Sequence, residues 1–201
     1  MSRKLVIQQF LTLDGVMQAP GAKDEDTRNG FAFGGWQIPF FDESIVEFIL
    51  TRYAATDTLL FGRLTYETFA AYWPNETDPN NPFAAAMNNF TKYVVTSQPI
   101  DLSWKTSYRI EGNIVQEIAK LKAQPGKDIT VLGSGVLSQT LISHGLVDEY
   151  ALMVAPLVLG TGTRLFRDGI PRQALTLASA TTSKTGVALL TYRSKPGTVE
   201  E

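Results

Sequence analysis

Cysteine is absent from the 201 residues, and histidine occurs only once, at His144. The chain therefore has no disulfides, no thiolate nucleophiles and no cysteine-ligated metal sites. A serine–histidine pair would have to use His144 itself, which stands near a predicted helix end and is expected at the surface, where the helix dipole favours it. The sequence thus offers little side-chain machinery for nucleophilic or metal-dependent catalysis.

Long apolar runs and a strong net charge are also lacking. No run approaches the roughly 20 residues that a membrane helix needs, and the net charge of -2 gives no footprint for nucleic acid or an anionic membrane. The start, MSRKLVIQQF, is too short and too polar for a signal peptide. We therefore expect a cytoplasmic protein without nucleic-acid or membrane partners, folded as one domain over residues 1–201.

The stretch from Asp128 to Tyr150 carries the strongest local signal. A short apolar run around Val131 predicts a buried strand, Gly133-Ser134-Gly135 predicts a turn, and apolar residues at helical spacing follow it. Such a turn points free backbone N–H groups and the positive end of a helix dipole at one place, which suits a phosphate. On this stretch alone, a plain structural turn is the alternative.

Similar turns follow two other predicted strands. The strand Thr58–Phe61 ends at Gly62 and a helix begins at Arg63, while the strand Tyr93–Val95 ends at Thr96-Ser97. Parallel strands place their carboxyl ends at one edge of a sheet, where α/β proteins bind ligands. Two helix N-termini, an arginine and several hydroxyls suit a dinucleotide. The alternative for Arg63 is a surface ion pair.

Standard nucleotide and hydrolase signatures do not match. Ser138 replaces the third glycine of G-x-G-x-x-G, no Walker motif occurs, and the Gly133-Ser134-Gly135 turn lacks the outer glycine of a nucleophile elbow. A dinucleotide site without nucleophile or metal favours hydride transfer, in which the cofactor carries the chemistry. A hydrolase using Ser134 and His144 is remote, because about ten helical residues, roughly 15 Å, separate them.

The segment from Val16 to Phe41 shows no lasting helix or strand period, which is typical of a lid or binding loop. It contains five aromatic residues, Phe31, Phe33, Trp36, Phe40 and Phe41. These residues either line a pocket for a flat ligand or anchor the loop to the core, and the sequence does not decide between the two.

The other predicted elements complete the chain. They are a first strand over Lys4–Phe10, a helix opened by Asp42-Glu43-Ser44, a helix over Phe83–Phe90, a strand near Ser107–Ile110, a helix capped by Asn113, a long strand over Tyr150–Leu159, and a hairpin of Leu175–Thr182 with Val187–Tyr192.

Four segments together resemble a known family. Gly62-Arg63-Leu64-Thr65-Tyr66-Glu67 is similar to the G-R-x-T-[YW]-E segment of dihydrofolate reductase-like proteins. Leu13-Asp14-Gly15 resembles the first-strand motif of the reductase (C-terminal) domain of the riboflavin-biosynthesis deaminase-reductase. The run from Leu132 to Tyr150 resembles the nucleotide loop and following strand of that domain, and Pro156 to Phe166 matches its P-x-x-L-G-x-G-x-x-L-F.

The resemblance implies an α/β fold of the dihydrofolate reductase type, with three α/β/α layers, a mixed, mostly parallel central sheet and a C-terminal antiparallel hairpin. It implies NADPH as cofactor and a homodimer of single-domain chains. Leu13 and Asp14 are implied to border the nicotinamide. Asp14 is our candidate for the catalytic proton donor, with water as the alternative, and Trp36 and Phe41 are our candidates for the substrate wall. The implied cofactor-binding residues are Leu13, Gly62, Arg63, Thr65, Thr96, Ser97, Leu132, Gly133, Ser134, Gly135, Val136 and Leu137.

Two departures from the family pattern concern the substrate. Val16 stands where riboflavin-pathway reductases commonly have lysine, and Leu132 stands where they commonly have glutamate. We therefore expect an NADPH-dependent reductase of a small heterocycle or sugar derivative, with the aminouracil reductase reaction of riboflavin biosynthesis and a pterin or dihydrofolate reductase as candidates. A nucleotide-binding module without turnover, acting as a sensor, is the second hypothesis.

Overall fold

A computed structural model describes residues 2–195, and it places eight strands in one sheet of order β4-β3-β2-β5-β1-β6-β8-β7. The first six strands run parallel, whereas β8 is antiparallel to β6 and β7. The strands are β1 Leu5–Thr12, β2 Thr56–Gly62, β3 Thr91–Val95, β4 Ser107–Ile110, β5 Asp128–Leu132, β6 Glu149–Ala155, β7 Leu175–Thr182 and β8 Ala188–Ser194. The predicted mixed, mostly parallel sheet with its C-terminal antiparallel hairpin is confirmed.

Five α-helices connect or follow these strands: α1 Glu43–Ala54, α2 Arg63–Tyr72, α3 Ala84–Asn89, α4 Ile114–Ala123 and α5 Gly135–Ser143. None of the helices described is long and apolar enough to cross a membrane. The Asp42 side chain caps α1 by accepting hydrogen bonds from Ser44 N and Ile45 N, and Asn113 caps α4 through Gln116 N.

The central strands of the sheet are buried on both faces. One face packs against α4 and α5, where Leu5, Ile7 and Leu11 of β1 meet Ile118 and Leu141. The opposite face packs against α1, α2 and α3, which contribute to two further clusters. Both flanking layers follow from strands that are apolar on both sides, as parallel strands usually are.

The loop over residues 16–41 is anchored by part of its aromatic set. It contains two short 3-10 helices, Arg28–Gly30 and Ile38–Phe40, and is otherwise irregular. Phe31 and Trp36 are 6% and 7% exposed in the cluster that includes Ile45 of α1, whereas Phe33 and Phe41 are 48% and 38% exposed. The anchoring role therefore holds for Phe31 and Trp36.

The predicted strand Tyr150–Leu159 is wrong at its end. β6 ends at Ala155, because Pro156 has no N–H to donate and Leu157 N turns back to Ala155 O at 2.8 Å. The chain then leaves the sheet and runs beside the end of β1, where Leu13 N donates to Leu157 O at 2.8 Å. The early end of β6 thus brings residues 157–165 to the predicted ligand edge.

Candidate functional site

The turns after β2 and β5 are joined by hydrogen bonds at the carboxyl edge of the sheet. Gly62 N donates to Ser134 Oγ at 2.9 Å, and Ser134 N donates to Thr65 Oγ1 at 2.9 Å. The Ser134 hydroxyl in turn donates to Leu132 O at 3.1 Å. The structure therefore brings together the two glycine turns that the sequence singles out, and it sets the N-termini of α2 and α5 side by side.

The turn after β5 requires glycine at one position. Gly133 has φ +56°, and a Cβ there would lie 2.9 Å from Thr65 Cγ2. Ser134 also adopts a left-handed conformation, with φ +57°, which its hydrogen bonds hold in place. Gln9 Nε2 donates to Gly133 O, so β1 supports the turn from the sheet. The turn is thus shaped by its neighbours before any ligand arrives.

The two helices at this edge begin without capping side chains. No side chain caps α2 at Gly62 or α5 at Ser134, and neither helix has an acidic residue in its first turn. By contrast, the side chains of Asp42 and Asn113 cap α1 and α4. In α5 the helical ladder starts with Ser138 N to Ser134 O at 2.8 Å, which leaves the earlier amides free for an anion.

Arg63 lies in the first turn of α2 beside this pair of helix ends. Its guanidinium contacts both carboxylate oxygens of Glu67, each at 2.9 Å, and its side chain is 38% exposed. An exposed pair of this kind contributes little to stability, about 0.3–0.5 kcal/mol. Arg63 is therefore able to leave Glu67 for a phosphate at low cost.

The turn after β3 lies next to β2, in register with Gly62 through Val95. Thr96 is partly buried and Ser97 is exposed. Thr96 O accepts a hydrogen bond from Arg109 Nε at 3.2 Å, and Arg109 also pairs with Glu111 at 2.5 Å. The sequence interpretation missed Arg109, although its place in the strand after Thr96-Ser97 was a usable signal.

The exit of β1 packs against the same turns from the other side. A Cβ at Gly135 would lie 3.4 Å from both Met17 Sδ and Thr163 Cγ2. Leu13 and Val136 are 69% and 71% exposed, whereas Leu137 is buried in the core beneath them. Two exposed aliphatic side chains thus border an edge that is otherwise rich in backbone N–H groups.

Asp14 holds the loop that follows β6. Its carboxylate accepts hydrogen bonds from Thr12 Oγ1 at 2.6 Å, Leu159 N at 3.2 Å, Gly160 N at 2.9 Å and Arg164 Nη2 at 3.2 Å. The bond from Thr12, joined by the other three and opposed by burial, holds the pKa of Asp14 well below its ordinary range. A carboxylate ionised in this way carries no proton at neutral pH, so the geometry does not favour the predicted role of proton donor.

The two candidates for the substrate wall differ. Trp36 donates its indole N–H to Gln18 O at 2.8 Å and lies in the core, so its position is structural. Phe41 stays partly open, and its ring lies 6.3 Å from Phe10 and 6.5 Å from Phe83, centroid to centroid. Of the two residues, only Phe41 presents a surface to a ligand.

The arrangement excludes the alternative hydrolase. Ser134 Oγ is engaged by Gly62 and Leu132, while His144 is exposed at the far end of α5 with Nδ1 2.8 Å from Thr140 O. Among residues 2–195, no group of three or more histidine and acidic side chains is placed to hold a metal ion. What remains at this edge is a set of anion-binding groups and hydroxyls.

Comparison with known proteins agrees with this fold. Residues 3–189 match the RibD C-terminal domain family. The uncharacterized protein YyaP of Bacillus subtilis is 30% identical over 192 residues, which cover 94% of each chain. YyaP is itself uncharacterized, so this similarity supports membership of the same family and no particular activity.

Two solved structures share the architecture. A putative riboflavin biosynthesis protein from Shewanella sp. PV-4 superposes with a TM-score of 0.67 at 19% identity, covering 97% of this chain and 99% of that one. Dihydrofolate reductase from Enterococcus faecalis, in complex with NADP(H) and RAB-propyl, superposes with a TM-score of 0.59 at 15% identity and the same coverage. The chain therefore belongs to the RibD C-terminal domain family, a family of reductases with the fold of dihydrofolate reductase.

Proposed function

We propose that the protein is an NADPH-dependent reductase that transfers hydride to a small heterocycle or sugar derivative. One observation carries the proposal: two uncapped helix N-termini are held together by Gly62, Thr65 and Ser134 at the carboxyl edge of the sheet. A dinucleotide has a pyrophosphate for such a place. Reductases of this family, and the NADP(H) complex of the E. faecalis enzyme, support the choice of cofactor.

Each part of the edge has a distinct proposed contact. The amides of Gly135, Val136 and Leu137 would receive the pyrophosphate at the turn that Gly133 and Ser134 shape, assisted by Arg63 and Thr65. Thr96, Ser97 and Arg109 would hold the 2′-phosphate of the adenosine, which distinguishes NADPH from NADH. Leu13 and Leu132 would border the nicotinamide, which supplies the hydride when the cofactor is bound.

The proposed substrate lacks the phosphorylated ribityl chain of the riboflavin pathway. At the two positions where the family resemblance implies lysine and glutamate, this chain has Val16 and Leu132, which are 0% and 7% exposed. Val16 forms a bridge to Arg164 and packs in an apolar cluster, so neither side chain offers charge to a substrate. A neutral heterocycle fits this environment better than a phosphate ester.

We propose water as the source of the proton. Asp14 is ionised, and the Asp42 carboxylate is occupied by the α1 cap and by Thr185 N at 3.0 Å. Glu43 is exposed and pairs with Lys184. Both carboxylates are therefore already engaged by other groups of the protein.

The test is cofactor binding followed by turnover. NADPH at millimolar concentration should raise the melting temperature, and NADH should do so less. A panel of pterins, pyrimidine intermediates and quinones should then include a compound that oxidises bound NADPH, followed as loss of absorbance at ~340 nm. The absence of any shift with either dinucleotide would overturn the proposal.

The second candidate is a binding module that senses NADP(H) without turnover. Asp14 favours it, since this carboxylate, our candidate proton donor, is engaged in holding the loop after β6. A sensor would show the NADPH-dependent stabilisation but no oxidation across the whole panel. The two candidates therefore separate at the turnover step.

We also propose that the protein is cytoplasmic and forms a homodimer. The dimer would form through β7, an edge strand of the sheet. Seven of the eight residues of β7 are exposed, all but Leu175. Leu177 is 52% exposed and pairs with Tyr192 of β8. Tyr192 belongs to the sheet face that, over the central strands, packs against α5. An exposed leucine on an open edge strand supports the choice of this edge as the interface.

A further inference from the structure

Two adjacent glutamines on β1 point to opposite faces of the sheet. Leu5, Ile7 and Leu11 lie in the cluster beneath α5, so Gln9 shares their face, and Gln8 lies on the other face with Phe10. Gln8 and Gln9 are equally buried, each 4% exposed. The two residues have the same chemistry and the same burial, and they differ in their surroundings.

Only one of the two amides has an evident structural role. Gln9 Nε2 donates to Gly133 O and so supports the nucleotide turn. Gln8 Oε1 has no hydrogen-bond partner within residues 2–195, although the atom is shielded from solvent. An unpaired buried amide oxygen destabilises a fold, whereas an apolar side chain of similar volume would pack there without that cost.

Gln8 lies beside the part of the sheet that leads to the proposed nicotinamide position. In register it pairs with Leu132 of β5, the residue immediately before Gly133, and with Ala151 of β6. Two residues further along the same face, the Phe10 ring contacts the partly open Phe41. By register, the unpaired amide thus lies between Leu132, which leads into the cofactor turn, and the partly open Phe41.

We propose that Gln8 is a specificity-determining residue that reads the lactam edge of a planar heterocyclic substrate, an inference that rests on the proposed reductase function. A primary amide presents an acceptor and a donor side by side. A ring N–H next to a ring C=O presents the complementary pair, so two hydrogen bonds form at once. The substrate would thereby satisfy the oxygen that the protein leaves unpaired.

The probes are lumazine, which has free lactam N–H groups, and 1,3-dimethyllumazine, which has none. With NADPH saturating, lumazine should bind to the wild-type protein at least about tenfold more tightly than the dimethyl compound, measured by calorimetry. Gln8→Leu should lose at least about tenfold in lumazine affinity and bind both compounds alike. The NADPH-induced rise in melting temperature should be the same in Gln8→Leu as in the wild type.

Gln9→Leu is the matched control, since it changes the same residue type at the same burial on the opposite face. It should reduce the NADPH-induced rise in melting temperature because Gly133 O loses the donor from β1 and keeps only the Ser138 hydroxyl at 3.3 Å. Gln8→Leu without ligand should melt at the wild-type temperature or above it, and Gln8→Met serves as a second variant of similar volume. A large loss of stability in both Gln8 variants would show a structural role and overturn the proposal.

The outcomes distinguish a failure of the Gln8 proposal from a failure of the proposed reductase function. Equal wild-type affinity for the two lumazines, no binding of either, or unchanged lumazine affinity in Gln8→Leu would overturn the role of Gln8 while NADPH binding stands. Failure of the wild-type protein to bind NADPH would overturn the reductase function itself.

Discussion

The amide of Gly62 donates a hydrogen bond to the Ser134 hydroxyl across 2.9 Å, although the two residues lie 72 positions apart. This contact makes the two glycine turns one structural unit, completed by Ser134 N and Thr65 Oγ1. Because both turns also begin helices, disturbing one of them should affect the anion-binding amides of both.

Gly133→Ala should destabilise the protein by about 2–3 kcal/mol and weaken NADPH binding. The alanine must adopt a positive φ, and its Cβ would overlap Thr65 Cγ2. Adding Thr65→Ser should restore part of the stability, because serine keeps the hydroxyl that accepts from Ser134 N but lacks the methyl group. Urea unfolding of the two single variants and the double variant measures this coupling, and equal instability of Gly133→Ala with and without Thr65→Ser would contradict it.

Arg63→Ala should raise the Kd for NADPH about 10- to 100-fold, because it removes a charge-assisted contact worth about 1.5–3 kcal/mol. The apo protein should keep its stability, since the Arg63–Glu67 pair is exposed. Glu67→Gln is the matched control: it frees the guanidinium, so NADPH should bind as tightly as before or more tightly. Fluorescence titration with NADPH measures all three proteins, and wild-type affinity in Arg63→Ala would contradict the assignment.

Arg109→Ala should reduce the preference for NADPH over NADH. The guanidinium is held beside the Thr96–Ser97 turn by Thr96 O, where a 2′-phosphate would gain from it. We expect the NADPH Kd to rise about tenfold or more and the NADH Kd to change little. A parallel loss for both dinucleotides would place Arg109 away from the 2′-phosphate, and Glu111→Gln, which removes the carboxylate paired with Arg109, tests whether that ion pair competes with the phosphate.

Asp14→Asn should destabilise the protein at neutral pH by about 1–3 kcal/mol, because charge-assisted bonds to Gly160 N and Arg164 are lost. The pKa of Asp14 is lowered in the folded protein, so its contribution is complete above the ordinary carboxyl pKa and disappears as the pH falls below it. The difference in unfolding free energy between wild type and Asp14→Asn should therefore be constant from pH 8 to about 5 and shrink below about pH 4. A difference that appears or vanishes near pH 6–7 would instead indicate a protonated Asp14 suited to catalysis.

Leu177→Lys should convert the proposed homodimer to a monomer. The substitution replaces the exposed leucine of the edge strand β7 with a charge, which a partner chain would have to bury. Thr176→Lys, which pairs with Arg193 on the other face of the strand, is the control and should leave the dimer intact. Size-exclusion chromatography with light scattering gives the mass of each variant, and a monomeric wild-type protein would contradict the proposal.

Local sequence patterns were enough to find the turns of the site but not every role within it. Glycine after an apolar run, followed by helical periodicity, marks the starts of α2 and α5 in any context, and parallel strand order then brings the turns together. The function of Asp14 depends on Leu159, Gly160 and Arg164, about 150 positions away, and no local pattern records that contact.

The two glutamines illustrate the same limit. Adjacent identical residues in a strand necessarily face opposite sides, yet the sequence alone does not say which side holds the turn and which holds α1. Only the pairing of β1 with β5 and β6 decides this. Arg109 was overlooked for a related reason, since its partner Thr96 O lies in the turn after β3, 13 positions earlier in the chain.

The central position of β1 also governs how the chain folds during synthesis. Its two neighbours, β5 and β6, begin at Asp128 and Glu149, so a nascent chain carries β1 with both edges unpaired for most of translation. Closing so long a loop is slow, and an unpaired apolar strand attracts other chains meanwhile. Chaperone demand in the cell should therefore be highest just before β5 leaves the ribosome.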